Sequence, residues 1–191
     1  LAEDAALEGV RYLEVRFAPI LNVQGGFSLT EAVEAPLRGL ARAEREHDIV
    51  ARIIICSLRH LPPEISLDLA RLAVDFMESG VVGFDLAGGE LGHPAAIHVD
   101  AFAHARAHGL ACTCHAGEGD GAHSIWQAVH QCGVSRIGHA TRLYEDPILT
   151  DEVKDAGIAL EICLTSNVQT QAARSYESHP LRQYFDPGLI V

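Results

Sequence analysis

The sequence predicts an α/β fold in which parallel strands curl toward a barrel. Three observations carry this. Short apolar runs alternate with longer helical patterns along the chain. Capping and stop signals separate the two. Polar residues gather just after several different runs rather than at one point. Strict strand–helix alternation implies parallel strands joined by crossovers.

The elements follow in order. Leu1–Glu8 reads as the last turns of a helix, stopped by Gly9. Val10–Ala18 is the first apolar run. Ser28-Leu29-Thr30-Glu31 has the spacing of a capping box and opens a helix to about His47. Ala51–Ser57 is the second run, followed by a helix over Pro63–Ser79. Val81–Ala87 is the third, with a helix over Pro94–His108 that Gly109 ends. Leu110–His115 is the fourth, with a helix over Ser124–Gln131 and Gly133 after it. Arg136–His139 is the fifth. Asp146-Pro147 supplies an N-cap and a first-turn proline for a helix that ends at Gly157. Ala159–Leu164 is the sixth run, and Leu189-Ile190-Val191 begins a seventh. Successive runs start roughly 25–40 residues apart, the size of one strand–helix unit.

Asp85, His115, Glu118, His139 and Thr165–Asn167 fall at or just beyond the C-terminal ends of different runs. In a barrel those ends meet around one mouth. An open doubly wound sheet would concentrate its groups at one switch point, usually with a glycine-rich phosphate loop. No GxGxxG or Walker-type loop occurs. The expected fold is a (β/α)8 TIM barrel forming one domain over residues 1–191. It is expected to be incomplete, with the first strand absent and the eighth truncated.

The 191 residues are 48% hydrophobic, enough to bury one sizeable core. Fourteen Lys and Arg face 26 Asp and Glu, a net charge of −12. Such a surface repels phosphate backbones and anionic lipid, so neither nucleic acid nor membrane is an expected partner. No stretch approaches the ~20 apolar residues of a membrane span. Five cysteines, an odd count without a CxxC pair, fit reduced thiols and a cytoplasmic setting.

The chemistry concentrates in His115-Ala116-Gly117-Glu118. Alternation puts Cys112 and Cys114 on one strand face and Thr113 and His115 on the other. Gly117 lets the backbone turn so that Glu118 points back toward the same centre. A neutral imidazole can ligate zinc, and a carboxylate beside the metal can move protons. His139 ends the next strand, 24 residues on.

The stretch HAGEGDGAHSIWQAVHQCGVSRIGHATRLYED, from His115 to Asp146, resembles the fifth and sixth strand–loop units of the adenosine deaminase family. Val10–Pro19 is similar to that family's second strand, Gly83–Leu91 to its fourth and Glu161–Asn167 to its seventh. SIWQA and CLTSNVQT resemble the bacterial branch. The resemblance implies a zinc-dependent hydrolase that converts adenosine, or a closely related 6-aminopurine nucleoside, to the 6-oxo product and ammonia. Its partner would be that small purine nucleoside; oligomeric state is not implied. His115 would ligate zinc, Glu118 would protonate the purine ring nitrogen N1, and His139 would orient and assist the zinc-bound hydroxide. Gly88 would offer its backbone N–H to the purine N3.

Two positions depart from the family: Gly89 replaces an aspartate, and Ala140 replaces a glycine after the sixth-strand histidine. The family's HxH pair, which supplies two zinc ligands, and its adjacent aspartates, one for zinc and one for the purine N7, lie outside these residues. Residues 1–191 alone are therefore expected not to deaminate adenosine. Two alternatives stay open: another metal-dependent amidohydrolase, such as an adenine deaminase, or a non-catalytic barrel fragment. His104 and His108 read as a solvated helix face, Cys112 and Cys114 as buried strand residues, and Trp126 as packing a helix on the barrel.

Overall fold

A computed structural model describes residues 1–191. Six strands form one parallel sheet: β1 (Tyr12–Phe17), β2 (Val50–Leu58), β3 (Val81–Ala87), β4 (Ala111–Ala116), β5 (Arg136–His139) and β6 (Ala159–Glu161). Their spatial order is their chain order, without a reversal. That order belongs to a barrel; an open doubly wound sheet reverses at a switch point. A contact across the sheet shows how far it curls. Arg136 on β5 and Glu14 on β1 form an ion pair at 2.8 Å. Four strand steps at ~4.8 Å would set them near 19 Å apart on a flat sheet. The sheet is a curled half-barrel, matching part of a (β/α)8 barrel as the sequence predicts. Ile190 lies beside β6, its carbonyl accepting from Leu160 N at 2.8 Å.

The strands divide their side chains as the alternation requires. Ile53, Ile55, Phe84, Leu86, Cys112, Cys114, Ile137 and Leu160 are buried on the outer, helix-covered face. Arg16, Asp85, His115, Arg136 and Glu161 share the inner face, where they pair with one another.

The helices are α1 (Ala2–Leu7), α2 (Leu29–Glu46), α3 (Pro63–Asp75), α4 (Val99–Ala107), α5 (Ala122–Trp126), α6 (Pro147–Asp155), α7 (Leu164–Gln169) and α8 (Leu181–Phe185). Helix α2 opens on the capping box: Ser28 Oγ accepts from Glu31 N at 3.2 Å, and Ser28 N donates to Glu31 Oε2 at 2.8 Å. Asp146 caps α6 by accepting from Ile148 N and Leu149 N. No helix is long and apolar enough to cross a membrane.

Helix α3 ends at Asp75 rather than Ser79 and α4 begins at Val99 rather than Pro94, each flanked by a 3-10 turn. Three further details differ from the sequence expectation. The sixth run extends to Leu164 in the sequence, yet β6 stops at Glu161 and α7 begins at Leu164. That early turn carries Asn167 into the interior, where it is fully buried. Helices α7 and α8 had no clear periodic signal because each is short. Trp126 is 38% exposed, lying between His123 and His130 rather than packing into the core. The buried residues of α5 and the π-helical turns that continue it (Gln127–Cys132) include Ala122, Ile125 and Ala128, and Trp126 falls beside them.

Replacing Ser28 by Ala removes one half of the capping box. The expected cost is about 1 kcal/mol, a fall in Tm of roughly 2–4 °C for a chain of this size. Thermal unfolding followed by circular dichroism checks it, and an unchanged Tm would count against the cap.

Candidate active site

Four strand ends build the site. Asp85 lies near the end of β3, fully buried. His115 is the penultimate residue of β4, with its Nδ1 3.0 Å from Asp85 Oδ2 and 3.3 Å from Oδ1. Arg16, near the end of β1, forms an ion pair with Asp85, Nη1 to Oδ2 at 3.4 Å, and pairs closely with Glu161 through Nη2. Burial opposes both charges of the Asp85–His115 pair. Their mutual attraction prevails: His115 is raised above the ordinary histidine pKa, and Asp85 is held below the ordinary carboxylate value.

His139 reaches the same place by another route. Strand alternation from Gly138 would send it outward. Instead His139 and Ala140 both adopt positive φ, 67° and 51°. The two imidazole rings come to 5.0 Å between centroids. Left-handed backbone at non-glycine residues costs roughly 1–2 kcal/mol each, and the surroundings hold the turn. Ala140 N donates to Ala116 O at 3.0 Å, Thr141 Oγ1 to Gly117 O at 2.5 Å and Tyr184 Oη to Ala140 O at 3.0 Å. Burial lowers the His139 pKa, against the pull of Glu118.

Glu118 extends from the loop after β4. Its Oε2 lies 3.5 Å from His139 Nε2, and its Oε1 accepts from Thr170 Oγ1 at 3.0 Å. Gly117 makes this turn possible at φ +73°. A Cβ there would sit 2.5 Å from Ile125 Cδ1. Gly88, Gly89, Glu90, Glu118, Gly119 and Thr170 line a cavity of about 260 Å³ beside these groups. The structure thus gathers Gly88, His115, Glu118 and His139 at one end of the half-barrel. At Gly89 nothing lies within 4 Å of where a Cβ would be, so the aspartate of the resembling sequences would meet open space.

Sequence reasoning passed over four contributors. Glu90, 5% exposed, accepts backbone N–H groups from Asp120 at 2.7 Å and Glu118 at 3.4 Å, fastening the loop that carries Glu118. Its burial raises its pKa despite Arg59 nearby and these donors. Arg59, 1% exposed just after β2, donates from Nη2 to His115 O at 2.7 Å and from Nη1 to His93 O at 2.8 Å. Arg16 lies on β1, and His179 lies behind Asn167. A charged residue directly after an apolar strand was the available signal for Arg59; for His179 there was none.

A zinc site needs three or four donors fixed together. His115 has the posture of one ligand, its Nδ1 held by a carboxylate. No group of three or more His, Cys, Asp or Glu side chains is arranged to hold an ion. Arg16 Nη1 also stands 3.3 Å from Nδ1 and 3.5 Å from Nε2 of His115, so a cation already faces both ring nitrogens. These residues by themselves do not fit a zinc ion.

Parallel strands in barrel order, with a carboxylate and two imidazoles at their C-terminal ends, define a barrel-type protein with titratable groups gathered at its mouth. The adenosine deaminase family profile matches residues 1–191, and the chain belongs to that family. It is 44% identical over 191 residues to a probable adenosine deaminase of Dictyostelium discoideum, covering all of this chain and 25% of that protein. It is 38% identical to the adenosine deaminase of Clostridium kluyveri, again over its full length and 55% of the relative. Among solved structures, the adenine deaminase of Arthrobacter aurescens superposes with a TM-score of 0.90 at 28% identity, over 98% of this chain and 57% of that one. An amidohydrolase from Burkholderia ambifaria, solved with bound Zn, gives 0.83 at 29% identity over 98% and 52%. The chain spans about half the length of most of these proteins, and a quarter of the Dictyostelium one.

Replacing Glu90 by Ala should free the Glu118 loop without touching β4. Hydrogen bonds to charged groups are worth about 1.5–3 kcal/mol, so amide exchange at Glu118 and Asp120 should quicken about tenfold or more. Exchange within β4 should hardly change. Equal protection of the loop in both proteins would show that Glu90 does not fasten it.

Proposed function

We propose that these residues form the acid–base half of a hydrolytic deaminase acting on adenosine or a closely related 6-aminopurine nucleoside. The observation that carries this is the pairing of Glu118 and His139 at 3.5 Å, beside the cavity that Gly88 lines. Deamination at C6 needs a proton delivered to the ring nitrogen N1, a water oriented toward C6 and a proton for the departing ammonia. The water gives up both of its own protons as its oxygen becomes the 6-oxo group, and these replace the two delivered. Glu118 is the group for N1, because its carboxyl borders the cavity. His139 orients the attacking water from the neighbouring strand end. The Gly88 backbone, at φ +95°, can approach a flat ring closely because it carries no side chain. A nucleoside also suits the charge: a chain at −12 does not favour a polyanionic ligand.

Zinc belongs to this reading through the family and through its metal-containing neighbour. Bound zinc lowers the pKa of a coordinated water to about 7. His115 would be this chain's one contribution to holding it. All five cysteines are free, which supports placing the protein in a reducing compartment such as the cytoplasm. The adenine deaminase neighbour at TM-score 0.90 supports a second reading, in which the free base is the substrate. Relative kcat/KM for adenosine and adenine separates the two.

In the full-length protein carrying this chain, Glu118→Gln should lose about 10²–10⁴-fold in kcat, the usual contribution of a general acid. The amide cannot supply the N1 proton, while metal content should stay unchanged. A variant that keeps more than about a tenth of the rate excludes Glu118 from that role.

A further inference from the structure

We propose that Asn167 and His179 are positioning residues that lock His139 in one tautomer, with its N–H directed into the mouth, and that turnover depends on that tautomer. This deepens the proposed role of His139 and rests on that reading only for its effect on rate.

The argument starts from a backbone atom. Leu181 N lies 3.1 Å from His179 Nδ1. A backbone amide can only donate, so Nδ1 of His179 accepts. A neutral imidazole has one proton, which must then sit on Nε2. An Nδ1 that accepts carries no proton, so the ring is neutral, and burial, which leaves His179 6% exposed, lowers its pKa in the same direction. His179 Nε2 therefore donates to Asn167 Oδ1 at 3.1 Å. With its oxygen so engaged, Asn167 turns Nδ2 toward His139 and donates to its Nδ1 at 2.8 Å. His139 Nδ1 is an acceptor, and the proton of the neutral ring lies on Nε2. That nitrogen faces Glu118 Oε2 at 3.5 Å.

Each link fixes the next because each group has only one remaining way to pair. Asn167 is fully buried, and His139 and His179 are 6% exposed, which leaves little room for solvent to scramble the order. The neutral His139 thus offers the mouth a donor and not a lone pair. It can hold the oxygen of an attacking water and stabilise charge developing there. It cannot take that water's proton through Nε2.

The test is the ring of His139 in the full-length protein labelled with ¹⁵N-histidine, read by long-range ¹H–¹⁵N correlation. The wild type should show the Nε2-protonated tautomer; an Nδ1-protonated ring overturns the proposal. Asn167→Asp is close in size and still accepts from His179, but it presents an acceptor to His139. It should move the proton to Nδ1. Swapping amide and carboxylate beneath a catalytic imidazole, with loss of the working tautomer, has cost about 10⁴-fold in kcat in serine proteases, so a fall of about 10²-fold or more is expected here, with KM within about threefold. A reversed tautomer with kcat within about twofold of wild type also overturns the proposal. Should Asn167→Asp fail to fold, His179→Leu cuts the chain at its origin and frees the Asn167 amide to rotate. It should give a mixture of His139 tautomers, and His179→Gln, which can accept from Leu181 and donate to Asn167, should restore a single one. A single Nε2-protonated ring in His179→Leu would show that the backbone does not set the order.

Discussion

The half-barrel depends on a carboxylate that has no access to water. Asp85 is fully buried at the end of β3, and a charge in that position needs cations around it. Arg16 arrives from β1 and His115 from β4, and Arg16 continues to Glu161 on β6. Strands that are not neighbours are thereby tied through the lumen. Losing one partner of such a buried cluster typically costs about 3–5 kcal/mol, because the others are left charged and unpaired. The cluster that shapes the sheet also orients the His115 ring, so architecture and site share atoms.

Two further buried charges act on backbone rather than on each other. Arg59 holds the carbonyls of His115 and His93, and Glu90 holds the amides of the loop that carries Glu118. Loop backbone at a barrel mouth has no ladder to satisfy it, and buried polar backbone must find partners. Charged side chains supply strong ones. The left-handed turn at His139–Ala140 is maintained in the same way, by hydrogen bonds from Thr141 and Tyr184 and from its own amide.

The two site imidazoles show how environment separates like residues. His115, against Asp85, holds a proton more readily than an ordinary histidine; His139, lowered by its burial, holds one less readily. Environments that drive paired groups apart in this way are how one site assigns different tasks to the same chemistry.

The sequence by itself determined the strand–helix alternation, the capping of α2 and α6, the face shared by Thr113 and His115, and the presence of HAGE and a later GH. These are local: period, cap and turn are each written within a few residues. The tertiary structure decided the rest. His139 faces the mouth only because a strained turn, held by Tyr184 more than 40 residues away, overrides strand alternation. Glu90, Arg59 and Arg16 matter through partners 28 to 145 residues distant. His179 gains meaning only once α7 has carried Asn167 inward. Their contacts join segments far apart in the chain, and no periodicity or spacing records which buried donor will meet which acceptor.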